Sequence, residues 1–211
     1  MSAVAHIKQY KTGAFYADEF RGDISWNGYE HNVLLRNDGK DGNGNLRFTD
    51  IGMAVGADDE KDGRGMAIAD FDNDGDLDIV INNNPGDSGL KQRARATLLR
   101  NNIGERRHWL AVELRGTKSN RDGVGSVVTI EAGGGKQMRL VTAGSGYASQ
   151  MSERLYFGLN DKPQADVMTV RWPSGVVEKF ENVKAKQLVR ITEGKGIEVT
   201  ALPPKKARLM P

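Results

Sequence analysis

Asp70-Phe71-Asp72-Asn73-Asp74-Gly75-Asp76-Leu77-Asp78 sets five carboxylates at alternate positions of nine residues, with a glycine at the sixth. Acids about 5–7 Å apart repel one another by about 2–3 kcal/mol per pair at an effective dielectric of ~20. Several such pairs rival the ~5–15 kcal/mol that holds a domain folded. The run therefore either splays into water as a solvated acidic turn or encloses a cation. Oxygen-only donors in a chain without cysteine favour Ca²⁺ over zinc. The side chains of Asp70, Asp72, Asp74 and Asp78 and the backbone carbonyl of Asp76 are the expected ligands, and Gly75 permits the tight turn among them. An EF-hand would need Glu at position twelve, where Ile81 stands. The flanks, Met66-Ala67-Ile68-Ala69 and Ile79-Val80-Ile81, read as strands.

Working outward, Asn32–Asn37 reads as a strand, residues 38–45 as a glycine-rich turn and Leu46–Thr49 as the returning strand. The turn segment Asp41-Gly42-Asn43-Gly44-Asn45 lacks the sixth-position glycine and the ninth-position acid, so it reads as a plain hairpin turn. Leu34-Leu35-Arg36-Asn37 recurs as Leu98-Leu99-Arg100-Asn101, which marks an internal repeat. Upstream, Tyr10, Phe15, Tyr16, Phe20, Trp26 and Tyr29 read as packing anchors. Beyond residue 106, Leu110, Val112 and Leu114 share one face of a strand. Further strands are expected over 126–130, 137–142, 155–157, 167–172, 176–180 and 188–192. Seven short strands at this spacing make a β-sandwich or barrel. After Glu193 the sequence reads as a surface tail, with Leu202, Leu209 and Met210 as candidate anchors.

Gly65–Asn82, GMAIADFDNDGDLDIVIN, resembles the FG-GAP/VCBS repeat, the blade unit of integrin-type β-propellers. The resemblance implies that Asp70, Asp72, Asp74 and Asp78 ligate calcium between two strands of a blade. Asn37-Asp38-Gly39 and Phe48-Thr49-Asp50 match other parts of that repeat. Downstream, HWLAVELRGTKSNRDGVGSVVTI, GSGYASQMSERLYFGL and VRWPSGVVEKFENV resemble the ASPIC/UnbV domain, which follows such blades in a family of secreted proteins. The expected fold is all-β, with an incomplete propeller-blade region packed against a C-terminal β-sandwich or barrel. The expected division is an N-terminal segment (1–31), a blade-like region (32–105), an ASPIC/UnbV-like domain (106–194) and a tail (195–211).

Lys and Arg number 30 against 28 Asp and Glu, so no dominant basic field suits nucleic acid. Lys91, Arg93, Arg95, Arg100, Arg106 and Arg107 do form a basic interval, which reads as a solvated face. No apolar run approaches the ~18 residues of a membrane span. No signal peptide is visible in MSAVAHIKQYKTG, while the calcium loop and the resemblance point to a secreted or periplasmic location.

Catalysis finds little support. Gly144-Ser145-Gly146-Tyr147 is not a Gly-x-Ser-x-Gly elbow between strand and helix, and a tight turn with Tyr147 as an aromatic plug explains it. His6, His31 and His108 have no metal-ligand spacing. Asn120-Arg121-Asp122-Gly123-Val124-Gly125 reads as a turn with positive φ, and Arg121 and Asp122 could equally contact a partner. Too few repeats are present to close a propeller, which usually takes about four to eight blades. The expectation is a non-enzymatic calcium-binding module in protein interaction or a larger assembly, with partners or self-association through the incomplete propeller edge. A carbohydrate- or surface-binding adhesion module and a hydrolase are the alternatives.

Overall fold

The computed structural model describes residues 31–59, 61, 63–83 and 96–202. The six upstream aromatics, His6, Lys91, Arg93, Arg95, Leu209 and Met210 lie outside them. The described residues are almost wholly β. By chain packing they fall into two compact units, one comprising the residues up to Gly65 with Ile81–Leu99, the other Met66–Val80 with the residues from Arg100 onward. The acidic loop thus belongs to the same unit as the C-terminal strands. Chain order alone, which placed it in a region ending at residue 105, gives a different division.

In the first unit, β1 (Leu35–Lys40) and β2 (Leu46–Asp50) form an antiparallel pair with a register shift between Asn37 and Gly39. A single helical turn, α1 (Gly52–Val55), follows and ends at Gly56 with φ 72°. Outside that unit's own pairing, β3 (Gly63–Ala69), β4 (Asp78–Asn83) and β5 (Thr97–Leu99) form a three-stranded sheet in that order, with residues 66–69 of β3 and 78–80 of β4 counted in the second unit. The repeated Leu-Leu-Arg-Asn motif runs into the start of β1 in one copy, and in the other Leu98 and Leu99 end β5 with Arg100 and Asn101 just beyond it.

The C-terminal strands form a sandwich, not a closed barrel. They are β6 (His108–Arg115), β7 (Val127–Ala132), β8 (Gly135–Leu140), β9 (Leu155–Asn160), β10 (Gln164–Arg171), β11 (Val177–Lys184), β12 (Gln187–Thr192) and β13 (Gly196–Thr200). One sheet runs β11-β10-β7-β8 and the other β13-β12-β6-β9. Period-two alternation sends Leu110, Val112 and Leu114 of β6 inward against Val128, Ile130, Met168 and Val170 of the facing sheet, in one continuous core. β6 pairs antiparallel with β9 and parallel with β12. At one margin of the sandwich, Gln137 Nε2 donates to Gly158 O at 2.7 Å and Arg139 Nε to Tyr156 O at 3.5 Å. The β7–β8 hairpin turns on Gly133 and Gly134, with φ 52° and 82°, a two-residue turn in which both central residues are left-handed.

Residues 196–200, expected in a tail, form β13. Gly194 (φ 71°) reverses the chain, Lys195 N donates to Thr192 O at 2.8 Å, and Thr192 pairs with Gly196. Leu202 just beyond it packs on a small second cluster of Trp109, Ala111, Tyr156 and Leu188.

Candidate functional site

The acidic loop connects β3 to β4, and its turn depends on two left-handed residues, Asn73 (φ 60°) and Gly75 (φ 99°). A Cβ at Gly75 would meet the indole of Trp109 at 1.9 Å, so backbone conformation and close approach both require glycine there. Trp109 and Tyr156 lie on the face of their sheet that points away from the sandwich core. The entering strand is tied down beside the loop, where Ser149 Oγ accepts from Met66 N at 2.9 Å and Ile68 O accepts from Ser152 N at 3.2 Å.

Asp70, Asp72 and Asp78 come together, each offering a carboxylate oxygen within 4.8 Å of the others. Asp70 and Asp78 are buried and Asp72 is half-buried. Asp70 accepts from Asp74 N and Gly75 N, both at 3.0 Å, and from the Tyr156 hydroxyl at 3.2 Å. Burial raises its pKa, and those three donors oppose the rise. The Tyr156 hydroxyl is itself pushed up to about 12, chiefly by burial, so it stays protonated and remains a donor. Asp78 accepts from Phe71 N at 3.1 Å and Asn101 N at 2.9 Å, which ties the loop to the chain leaving β5.

Asp74 and Asp76 stand outside that triplet. Asp74 Oδ1 accepts from Asp76 N at 3.3 Å. Asp76 Oδ2 accepts from Glu105 N at 3.0 Å, in the 3₁₀ turn Gly104–Arg106, where a Cβ at Gly104 would meet Asp76 Cβ at 2.6 Å. The other oxygen, Oδ1, is buried with no hydrogen-bond partner. Burial pushes the Asp76 carboxyl up to about 6, the Glu105 N–H opposing and the charges of Asp74 and Asp78 adding. Arg100 reaches into the loop, touching the Asp72 carboxylate and lying 3.7 Å from Asp74 Oδ2. Such a set of buried oxygens with an unsatisfied acceptor fits a hard divalent cation.

The Asp41 turn is of another kind. Asp41 Oδ1 accepts from the N–H of Asn43 and Asn45, both at 2.9 Å, at an exposed tip. The Asn45 bond leads in lowering its pKa. Its acid is satisfied by its own turn.

Elsewhere, Tyr147 is 75% exposed, so it plugs nothing. The glycines on either side of Ser145 supply the turn instead, Gly146 with φ 81°. The Asn120–Gly125 turn does use positive φ, at Gly123 (68°) and Gly125 (89°). Asn120 closes it, donating from Nδ2 to Val124 O at 2.7 Å and accepting from Val124 N at 2.8 Å. Asp122 lines a polar cleft of about 480 Å³ with Glu113, Gln150, Ser152, Glu153 and Arg154. His31 Nδ1 lies 2.9 Å from Asp58 O, and His108 sits on β6.

Beside Trp109 and Arg100, a residue that sequence reasoning misses is Glu193, 2% exposed just after β12. Its Oε2 accepts from the N–H of Thr117, Lys118 and Ser119 at 2.7–2.9 Å, and its Oε1 from the hydroxyls of Ser119 (3.0 Å) and Ser174 (2.5 Å). Burial alone would push this carboxyl up, but the Ser174 hydroxyl and the three backbone donors outweigh it and bring it down to about 2. No signal in the local sequence marks it, since its donors lie 19 to 76 residues away.

Residues 116–198 match the family model described as ASPIC and UnbV. The chain is similar to cartilage acidic protein 1 of Xenopus tropicalis, 33% identical over 121 residues, which is 56% of this chain and 18% of that protein. The human protein of the same name is 33% identical over 119 residues, or 55% of this chain and 17% of that one. The chain therefore spans less than a fifth of the length of these relatives. No helix among the described residues is long and apolar enough to cross a membrane.

Proposed function

We propose that this protein is a calcium-stabilised, non-enzymatic β-module of the extracellular or periplasmic space, acting in protein interaction within a larger assembly. The observation that carries the reading is the acidic loop itself. Three carboxylates converge there within 4.8 Å, and Asp76 adds a buried oxygen with no partner. Asp70, Asp72 and Asp78 would hold the ion directly, with Asp74 and the Asp76 backbone carbonyl completing the set that the spacing implies. Ca²⁺ would supply two positive charges to the loop and fix its turn against Trp109. The resemblance to FG-GAP/VCBS repeats and the similarity to cartilage acidic protein 1 support the same reading and the extracellular location.

A melt in calcium, in EDTA, and in EDTA followed by excess calcium tests it. Calcium at a hundred times its dissociation constant adds about 2.7 kcal/mol, which raises Tm by several degrees. An unchanged Tm in all three conditions would sink the reading.

A second reading, compatible with the first, concerns assembly through the incomplete repeat. Leu35, Leu46 and Phe48 on the two-stranded β1–β2 pair are each more than half exposed. An edge of this composition suits pairing with further blade-like strands or with a partner protein. Native mass spectrometry across a dilution series that shows only monomer, with a pull-down that returns nothing, would remove it.

A further inference from the structure

Arg100 is the first residue of the second unit's C-terminal stretch, directly after β5. Its side chain is about one-third exposed, whereas that of Asp74 is 2% exposed. Its Nη2 meets the Asp72 carboxylate and approaches Asp74. A guanidinium keeps its charge at any working pH and offers five donors in a fixed planar fork. The sequence reading placed this residue in a solvated basic face, whereas the geometry makes it part of the loop.

We propose that Arg100 is the resident counter-cation of the acidic loop and sets its affinity for calcium. A divalent ion that ligates through Asp72 Oδ2, the oxygen Arg100 holds, must displace it. This inference rests on the calcium reading above and adds a residue to it. The two cations compete for one carboxylate and demand different geometry. Ca²⁺ draws oxygens to about 2.3–2.6 Å in a compact shell, while a guanidinium holds them at about 2.7–2.9 Å in a plane. Binding is therefore an exchange of one ion pair for another. The ion gains that oxygen only after the Arg100 pair is broken, and in either case shares the loop's surroundings with a like charge. The same contact explains how five carboxylates keep a folded turn before any metal arrives.

Calcium titrations by calorimetry on the full chain, compared across wild type, Arg100→Gln and Arg100→Lys, test this. Melts of each in EDTA accompany them. Arg100→Gln should bind calcium about tenfold more tightly, which corresponds to about 1.4 kcal/mol. The same variant should melt lower in EDTA, so its calcium-induced rise in Tm exceeds that of wild type. Arg100→Lys, which keeps the charge but not the planar fork, should fall between them. A merely structural arginine would give weaker or unchanged calcium binding on removal.

Calcium binding by wild type with no tighter binding by Arg100→Gln overturns the inference and leaves the calcium reading standing. No binding by any of the three overturns both. Tight binding by Arg100→Gln with none by wild type supports the exchange at its limit. If Arg100→Gln fails to fold, Arg100→Lys decides alone. Tighter binding than wild type supports the exchange, and equal or weaker binding overturns it.

Discussion

The Glu193 nest and the acidic loop both bury carboxylates, and they do so with opposite economies. Around Glu193, one carboxylate receives five donors from Thr117, Lys118, Ser119 and Ser174, and its pKa falls to about 2. In the loop, Asp70 accepts from two backbone N–H groups and the Tyr156 hydroxyl, Asp72 meets the Arg100 guanidinium, and Asp76, with one of its oxygens buried and unpartnered, rises to about 6. Depth of burial does not separate the two sites, since Glu193 and Asp78 are 2% and 1% exposed. The supply of donors separates them. A buried acid with its donors in place is a structural rivet, and a set of buried acids short of donors is a place for a cation.

The strongest way to break the contrast is to break the loop. Gly75→Ala forces a side chain into positive φ and into the Trp109 ring, and should cost more than about 4 kcal/mol. We expect insoluble protein or a melt lowered by well over ten degrees. A normally folded, calcium-responsive variant would show that the turn does not need this approach.

Emptying the nest comes next. Glu193→Ala leaves five donors without an acceptor and should cost about 3–5 kcal/mol by urea unfolding. Glu193→Gln keeps an acceptor for the three backbone N–H groups, so it should cost about 1–2 kcal/mol. Equal losses for the two variants would mean that charge, not donor count, is what the nest rewards.

Removing the cation is a smaller step. Asp72→Ala should abolish most of the ~2.7 kcal/mol that calcium adds at a hundredfold excess. Its melt in EDTA should move much less, because the variant also relieves repulsion.

Acid separates the two sites by sign. Glu193 has a folded pKa of about 2 against an ordinary 4.5, so its contribution is complete above pH ~4.5 and is lost as pH falls from there toward 2. Asp76 has a folded pKa of about 6 against an ordinary 3.8, so between those values the folded state binds more protons than the unfolded chain. In EDTA the Asp76 contribution therefore improves as pH drops from about 6 to 4. Equilibrium unfolding of Asp76→Asn and Glu193→Gln against pH reads the two slopes separately, and slopes of the same sign would contradict the contrast.

The smallest effect is the control. Gly134→Ala also meets positive φ, but nothing lies within 4 Å of its added Cβ. It should cost only about 1 kcal/mol.

The loop was legible because its signal is local. Alternating acids, the sixth-position glycine and two apolar flanks all lie within one hairpin. The sandwich strands are legible for the same reason, as period-two alternation in Trp109–Leu114 and Ser126–Ile130 marks the residues that enter the sandwich core, although in β6 the other face, with Trp109 and Ala111, is buried too. What escaped depends on residues distant in sequence. Trp109 fits Gly75 from another strand, and Arg100 reads as surface charge until β5 delivers it to Asp72. The parallel pairing of β6 with β12 joins segments 77 residues apart at Arg190 and Glu113. β13 escapes for a local reason, because Gly194-Lys195-Gly196 reads as the start of a tail whereas Gly194 closes a hairpin. Tyr147 reads as a plug because an aromatic beside glycines suggests burial, and its 75% exposure gives the opposite answer.

The bonds from Gln137 and Arg139 to the carbonyls of Gly158 and Tyr156 have a colloidal consequence. β9 ends its sheet, and a terminal strand normally offers its free carbonyls as a template for a stranger's backbone. Here those two acceptors are already taken by side chains of β8, so a second molecule cannot add a strand there without first evicting them. That border is thereby a poorer template for a second molecule's strand than a bare edge would be.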